Sequence, residues 1–303
     1  MSMKKMSIFA VLTMVCTFSL CAAENPVPDE LYGAQTIGVV NVNLAGLNKA
    51  QIDKTLVSIL GQPTDPNALA AFSAFQDKFK AAGGLSINVV INIDKDPKPE
   101  NADKGIVLVV QKSETGNSKA LAELMSSMDP KFKDEMAPGC PKDIDGSLVW
   151  HNKNFKLPKA DDDRAEAFSG AFDEVSEDQA VTIVIVPDED AVTTINKNLK
   201  PDQVELVKAI LGGSGICLFT NFGIAEAPTL KTLIMAEDVK GAEKLNKATE
   251  TLLAAASKDA PPPLKTLLDS LKAVQAGTNV QITINIAEFG KAVKELAAPF
   301  MGK

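Results

Sequence analysis

The chain has 303 residues, 45% of them hydrophobic and 23% charged, with 39 acidic against 31 basic side chains and a formal net charge of −8. That composition is globular rather than disordered or fibrous, and the negative balance repels nucleic-acid phosphates and anionic lipid head groups. Arg164 is the one arginine, so bidentate forks for phosphate or carboxylate are scarce, and no nucleic-acid partner is expected.

The first residues are set apart from the rest. Lys4 and Lys5 precede an apolar run from Met6 to Leu20 and the small-residue end Cys21-Ala22-Ala23. This is the pattern of a cleavable secretory signal peptide over residues 1–23, cut after Ala23, and it predicts a secreted or periplasmic mature protein. The run is shorter than the roughly 20 residues that a spanning helix needs, and no later stretch is long and apolar enough, so no membrane span is expected after cleavage. Cys21 raises the alternative of a lipoprotein, but Leu20 stands where a lipid-modification signal has Gly, Ala or Ser. Without Lys4 and Lys5 the basic count falls from 31 to 29 against 39 acidic residues, a net charge of −10. Cys140 and Cys217 remain. In an oxidising compartment a disulfide between them would add about 4 kcal/mol by closing a long loop. The setting Ile216-Cys217-Leu218-Phe219 reads more plainly as a buried free thiol.

Residues 24–33, with Pro26 and Pro28, form an extended leader. Thr36–Leu44 is the first strand. Asn48 caps a helix carrying Ile52, Leu56, Ile59 and Leu60 on one stripe, ended by Gly61. A second helix, Asn67–Ala82, spaces Leu69, Phe72, Phe75 and Phe79 by three and four and stops at Gly83-Gly84. From Leu85 to Asp94 apolar and polar residues alternate, the period of a strand with one buried and one wet face. A loop bearing Asp94, Asp96, Glu100 and Asp103 leads to Ile106–Val110, a continuous aliphatic run expected nearer the sheet centre. Asn117 opens a helix through Leu121, Leu124 and Met128. The Pro- and Gly-bearing segment Asp129–Asp145 reads as a loop with one helical turn, Ser147–Phe155 as a short strand, and Asp161–Asp163 as the start of a helix through Phe168 and Phe172.

The order then restarts. Val181–Val186 is a strand, Asp188–Asp190 and Pro201-Asp202 open two helices, and Ile216–Thr220 and Leu230–Ala236 are a strand pair. Helices follow from Asp238 and from Leu264. Val280, Ile282, Ile284 and Ile286 alternate with Asn279, Gln281, Thr283 and Asn285 in a final strand, and Phe289, Val293 and Leu296 mark the last helix. Both halves, 34–177 and 178–303, read as strand-helix-helix-strand-strand-helix-helix-strand-helix. The fold class is therefore α+β, a tandem duplication with antiparallel or mixed sheets and helices packed on one face.

Chemistry is sparse. His151 is the only histidine, which excludes paired-histidine metal sites. Phosphate-binding glycine loops and a Gly-x-Ser-x-Gly elbow are absent, and the acidic runs lack calcium-loop spacing. Cys140 has no neighbouring cation or helix start to activate it. No catalytic residue, metal or cofactor is expected. The wet faces of the strands supply the candidate binding residues: Asn41, Asn43, Asn88 and Asn92, then Asn279, Gln281, Thr283 and Asn285. These uncharged hydrogen-bonding side chains suit a protein or polar-polymer partner. The expected function is a non-enzymatic binding or structural protein acting through that face or the groove between halves. A carrier of an apolar, lipid-like ligand and a carboxylate-dependent hydrolase are the alternatives.

Overall fold

The computed structural model describes residues 26–60, 65–92, 105–128, 132–175, 179–187, 213–258 and 260–301. The helices expected over 188–211 and the acidic loop bearing Asp94, Asp96, Glu100 and Asp103 lie outside them.

The sheet is built outward from its middle. Strand β1 (Thr36–Val42) pairs antiparallel with β6 (Val181–Ile185), Val40 facing Ile183. On one side follow β2 (Gly84–Asn92), β3 (Ile106–Lys112), β5 (Ser147–His151) and β4 (Lys142–Ile144). On the other side follow β7 (Gly215–Thr220), β8 (Thr229–Met235), β10 (Asn279–Asn285) and β9 (Ala273–Ala276). Among the described residues the result is one antiparallel sheet of ten strands. The centre is β1 and β6, not β3, whose aliphatic run is explained by cover on both of its faces.

Two edge strands, β4 and β9, escape the sequence reading because each is only three or four residues long. Each is the outer arm of a hairpin. Asp145 (φ 43°) and Gly146 (φ 74°) turn β4 into β5, both at the positive φ that a primed two-residue turn needs. Gly277 (φ 60°) serves the β9–β10 turn.

Helices α1 (Lys49–Leu60), α2 (Pro66–Ala81) and α3 (Ser118–Met128) form where the apolar stripes predict them. Asn48 caps α1, and Asn117 caps α3. Asp65 caps α2, its carboxylate accepting from Asn67 N. After the one-turn α4 (Phe132–Glu135), α5 (Asp162–Asp173) starts at Asp161, whose carboxylate accepts from Arg164 N. In the second half come α6 (Val239–Lys258), α7 (Pro262–Ser270) and α8 (Ile286–Met301).

Successive residues of a strand point to opposite faces, and the core divides accordingly. Val110, Leu148 and Trp150 pack with Phe72, Phe79 and Leu121 of α2 and α3, while Ile234 and Val280 pack with Ala242 and Leu245 of α6. Val109, Val149, Val184, Cys217 and Leu233 point the other way, onto Phe168 and Phe172 of α5. The expectation that all helices lie on one face is thus corrected: α5 crosses the opposite one. Its aromatic stripe needs an apolar surface, and the branched residues at the sheet centre offer one there.

The leader completes that second cover. Leu31 and Tyr32 are buried, the Tyr32 ring stacks on Phe168 at 4.8 Å, and Asp161 N donates to Tyr32 O. The Arg164 guanidinium donates to the carbonyls of Thr36 and Val186, tying α5 to the ends of both central strands. We call this the leader face and its opposite the helix face.

Phe168→Ala should lower stability by about 3–5 kcal/mol, the cost of a buried aromatic truncated to a cavity, read from the midpoint of chemical denaturation. A second expectation concerns the α6–α7 hairpin, where Ser257 Oγ and Lys265 Nζ (2.9 Å) both donate to the Asp269 carboxylate. Those hydrogen bonds, with the Lys265 charge, hold Asp269 below its ordinary 3.8. Its contribution is therefore complete above that value and is lost as pH falls through the lowered one. Asp269→Asn should remove this part of the acid-side slope in a pH series of thermal melts.

Candidate functional site

The polar side chains expected to keep one strand face wet sit beneath the leader. Asn41 and Asn88 face each other across β1 and β2, and Asn41 Nδ2 donates to Asn88 Oδ1 at 2.6 Å. Asn88 Nδ2 donates to Ser86 Oγ (3.1 Å) and to Pro26 O (3.2 Å), and Ser86 Oγ donates to Gln111 Oε1 (3.0 Å). At the other end of the strands Thr36 Oγ1 donates to Asn92 Oδ1 (2.8 Å), while Asn92 Nδ2 reaches Gly105 O (3.0 Å). Asn41, Asn88 and Asn92 are buried. The face is covered rather than wet, and its amides bond to one another and to the backbone of the leader and hairpin. Asn43 acts locally, its Oδ1 accepting from Ala45 N and Gly46 N to close a short turn after β1.

The second-half residues lie further out, on β10. Asn279 Nδ2 donates to Glu174 Oε2 at 2.6 Å, and Asn285 Oδ1 caps α8 through Ala287 N. Gln281 Nε2 donates to Thr283 Oγ1 at 2.9 Å, and Thr283 is exposed. The eight residues therefore form two separate groups. The first-half group is internal. Gln281 and Thr283 alone keep the accessible polar character expected of the set.

The helix face behaves in the opposite way. Val40, Val42, Val89 and Val181 form a cluster with the half-buried Ile91, Ile106, Leu108 and Ile183. All eight come from β1, β2, β3 and β6, and among the described residues only Leu108 also packs against the helix-lined cluster of Phe72, Phe79 and Leu121. The register places Leu108, Val89, Val40, Ile183 and Leu218 in one row across five strands. At 4.7–4.9 Å per strand that row is roughly 19 Å wide, and it contains no polar side chain. On β2 the alternation is inverted relative to a soluble face: Ser86 and Asn88 are buried, while Ile87 and Ile91 are half-buried and Leu85 is exposed.

The two cysteines lie on opposite faces. Cys217 packs in the leader-face core with its thiol directed at Ala171 O (3.4 Å), whereas Cys140 is half-buried against the helix-face cluster. Both are free, so the disulfide considered above is not formed; the intervening sheet separates them. Burial in apolar surroundings, with the Glu174 charge adding, pushes the Cys217 thiol up to about 12, which keeps it protonated and unreactive. Cys140 lines an open hollow of about 770 Å3 between α3 and residues 132–141, shared with Phe132, Met136 and Trp150. His151 follows Trp150 in β5 and so points to the other face. Its Nδ1 lies 2.9 Å from Phe155 O, which makes Nδ1 the protonated nitrogen, and its buried Nε2 has no hydrogen-bond partner. Thiol and imidazole thus face away from each other. Among the described residues no group of three or more His, Cys, Asp or Glu side chains is placed to hold a metal ion. None of the described helices is long and apolar enough to cross a membrane.

Sequence reasoning missed the aliphatic row. Its signal is present in Ile106–Val110 and Val181–Val186, runs apolar on both faces. Such runs read as deep burial, because nothing in a single sequence shows which elements cover each face. Comparison with protein-family models, with curated proteins and with solved structures finds no match.

The two groups of polar residues should respond differently to mutation. Asn88→Leu strands the Asn41 amide in a buried setting and takes the donor from Pro26 O, and should cost about 2–4 kcal/mol. Thr283→Ala should stay within about 0.5 kcal/mol of the parent. Equilibrium unfolding in urea reads both.

Proposed function

We propose that this is an exported, non-catalytic binding protein that holds an aliphatic ligand against the helix face of the sheet, where its two halves meet. The cluster of strand residues around Val40 and Ile183 supports this reading, because the described helices add no residue to it. Half-buried isoleucines at the middle of a sheet forgo about 25 cal/mol for each Å2 left in water, and an acyl or similarly apolar chain would recover that. A row without polar groups gives shape and burial but no directed hydrogen bond, so it suits a class of apolar chains rather than one molecule. The N-terminal segment with the pattern of a signal peptide supports export.

The two halves are read as a tandem duplication. The order outward from the centre is β1-β2-β3-β5-β4 on one side and β6-β7-β8-β10-β9 on the other. A pseudo-two-fold axis perpendicular to the sheet, through the β1–β6 pairing, would relate them. The helices after the last strand of each half depart from that symmetry: α5 packs on β6 and β7, whereas α8 packs on α1 and α7. On this reading the helix face at the junction is where a ligand meets both halves.

Delipidated protein should bind a fluorescent long-chain fatty acid saturably. Ile183→Asp, which sets a charge in the middle of the row, should weaken that binding by about tenfold or more, since each 1.4 kcal/mol is a factor of ten. Its far-ultraviolet circular dichroism and cooperative melting should be preserved. No uptake by the parent protein, or equal uptake by the variant, would refute the reading.

A further inference from the structure

The two ends of the sheet are finished differently. At one end β4 exposes Lys142 and Asp143, and Asp143 lies 3.6 Å from Lys112. Such charges are how edge strands ordinarily resist pairing with another chain. At the other end β9 (Ala273-Val274-Gln275-Ala276) carries no charge, and its outer backbone groups have no neighbouring strand among the described residues. Val274 is 59% exposed, the highest value among the large apolar residues described, and Val239 follows at 54%. Both belong to this edge. Val274 is on β9 itself, and Val239 starts α6 with its carbonyl bonded to the Gln275 amide.

We propose that β9 is a homotypic docking edge, pairing antiparallel with β9 of a second copy so that the sheet continues across a two-fold axis. An axis perpendicular to the sheet keeps each face continuous, so residues of the same parity must meet. Centring on Val274 sets it opposite its own copy, Ala273 opposite Gln275, and Lys272 opposite Ala276. No like charges face each other in that register, although the chain as a whole is acidic. An isologous contact of this kind closes after two copies. Four residues and the flanking valines bury far less than the roughly 1,200 Å2 of a standard interface, so the association is weak and concentration-dependent. It is independent of the apolar-ligand reading, which concerns the other end of the half and one face only.

Light scattering on the purified full chain should show the mass moving from one copy toward two as concentration rises toward roughly the millimolar range. Val274→Lys should hold it at one copy throughout. Directly opposed residues have Cβ atoms about 4.5–5.5 Å apart, within reach of a disulfide after small adjustment. Val274→Cys should therefore give a disulfide-linked dimer under mild oxidation, while Thr283→Cys on β10 and the parent with Cys140 and Cys217 should not. Cross-linking of Val274→Cys no faster than of Thr283→Cys would overturn the proposal. So would a doubling of mass that survives Val274→Lys.

Discussion

The antiparallel pairing of β1 with β6, Gly38 through Val42 against Ile185 through Val181, is the contact on which the rest of the architecture depends. It joins segments about 140 positions apart and turns two five-stranded sheets into one. Because β1 and β6 are central, both of their faces must be managed, and the two faces are managed differently. On the leader face Val39 and Val184 receive α5 and the N-terminal segment. On the helix face Val40 and Ile183 cluster, among the described residues, with other strand residues. Arg164 reinforces the joint from outside by donating to one carbonyl at the end of each strand. The lone arginine is thus accounted for by a backbone contact that a lysine's single ammonium would make less well.

The leader face also explains why so many amides occur in the first-half strands. Burying an asparagine without partners costs a few kcal/mol, so a row of them is tolerable only where each finds another. Asn41, Asn88, Ser86 and Gln111 form a chain of donors and acceptors, and Pro26 O is part of it. Such a network is demanding in geometry: each residue can be satisfied only if the leader lies in one place and the strands keep one register. An apolar row would tolerate a slip of two residues; this one would not. The polar chain therefore specifies how the N-terminal segment docks.

Much of the fold was legible in the sequence, and the failures share a cause. Helix stripes such as Leu69, Phe72 and Phe79, and stops such as Gly83-Gly84, are local signals, and α2 lies within a residue of where they place it. The strands β1, β2, β7, β8 and β10 announced themselves by composition and alternation. The short edge strands did not, although Asp145-Gly146 is a hairpin signal in its own right. What a single sequence could not reveal was cover. Alternation says that two faces differ; it does not say which is wet. In β2 the amides proved to be inside and the isoleucines half outside, because the leader and α5, far away along the chain, lie over the polar face. The first-half amides read as wet for that reason, and His151 and Cys140, near in sequence, were parted by the pleat.

An apolar face whose isoleucines stay half-buried beside buried valines, opposite a polar face that is covered, is an arrangement that stability alone does not favour. Swapping the two would place the amides in water and the isoleucines in the core, gaining burial energy and losing only the leader's docking code. The same preference recurs at the sheet's ends, where β4 is charged and β9 is not, though a single lysine on β9 would serve as a guard at small cost. Two independent places thus show apolar surface retained where a polar residue would be tolerated. Exposed apolar side chains scattered singly need no explanation, but Val274 and Val239 are grouped at the rim, and half-buried isoleucines are grouped at the middle of the sheet. The proposed ligand at one and the proposed second copy at the other would recover both by the same physics that closes the core.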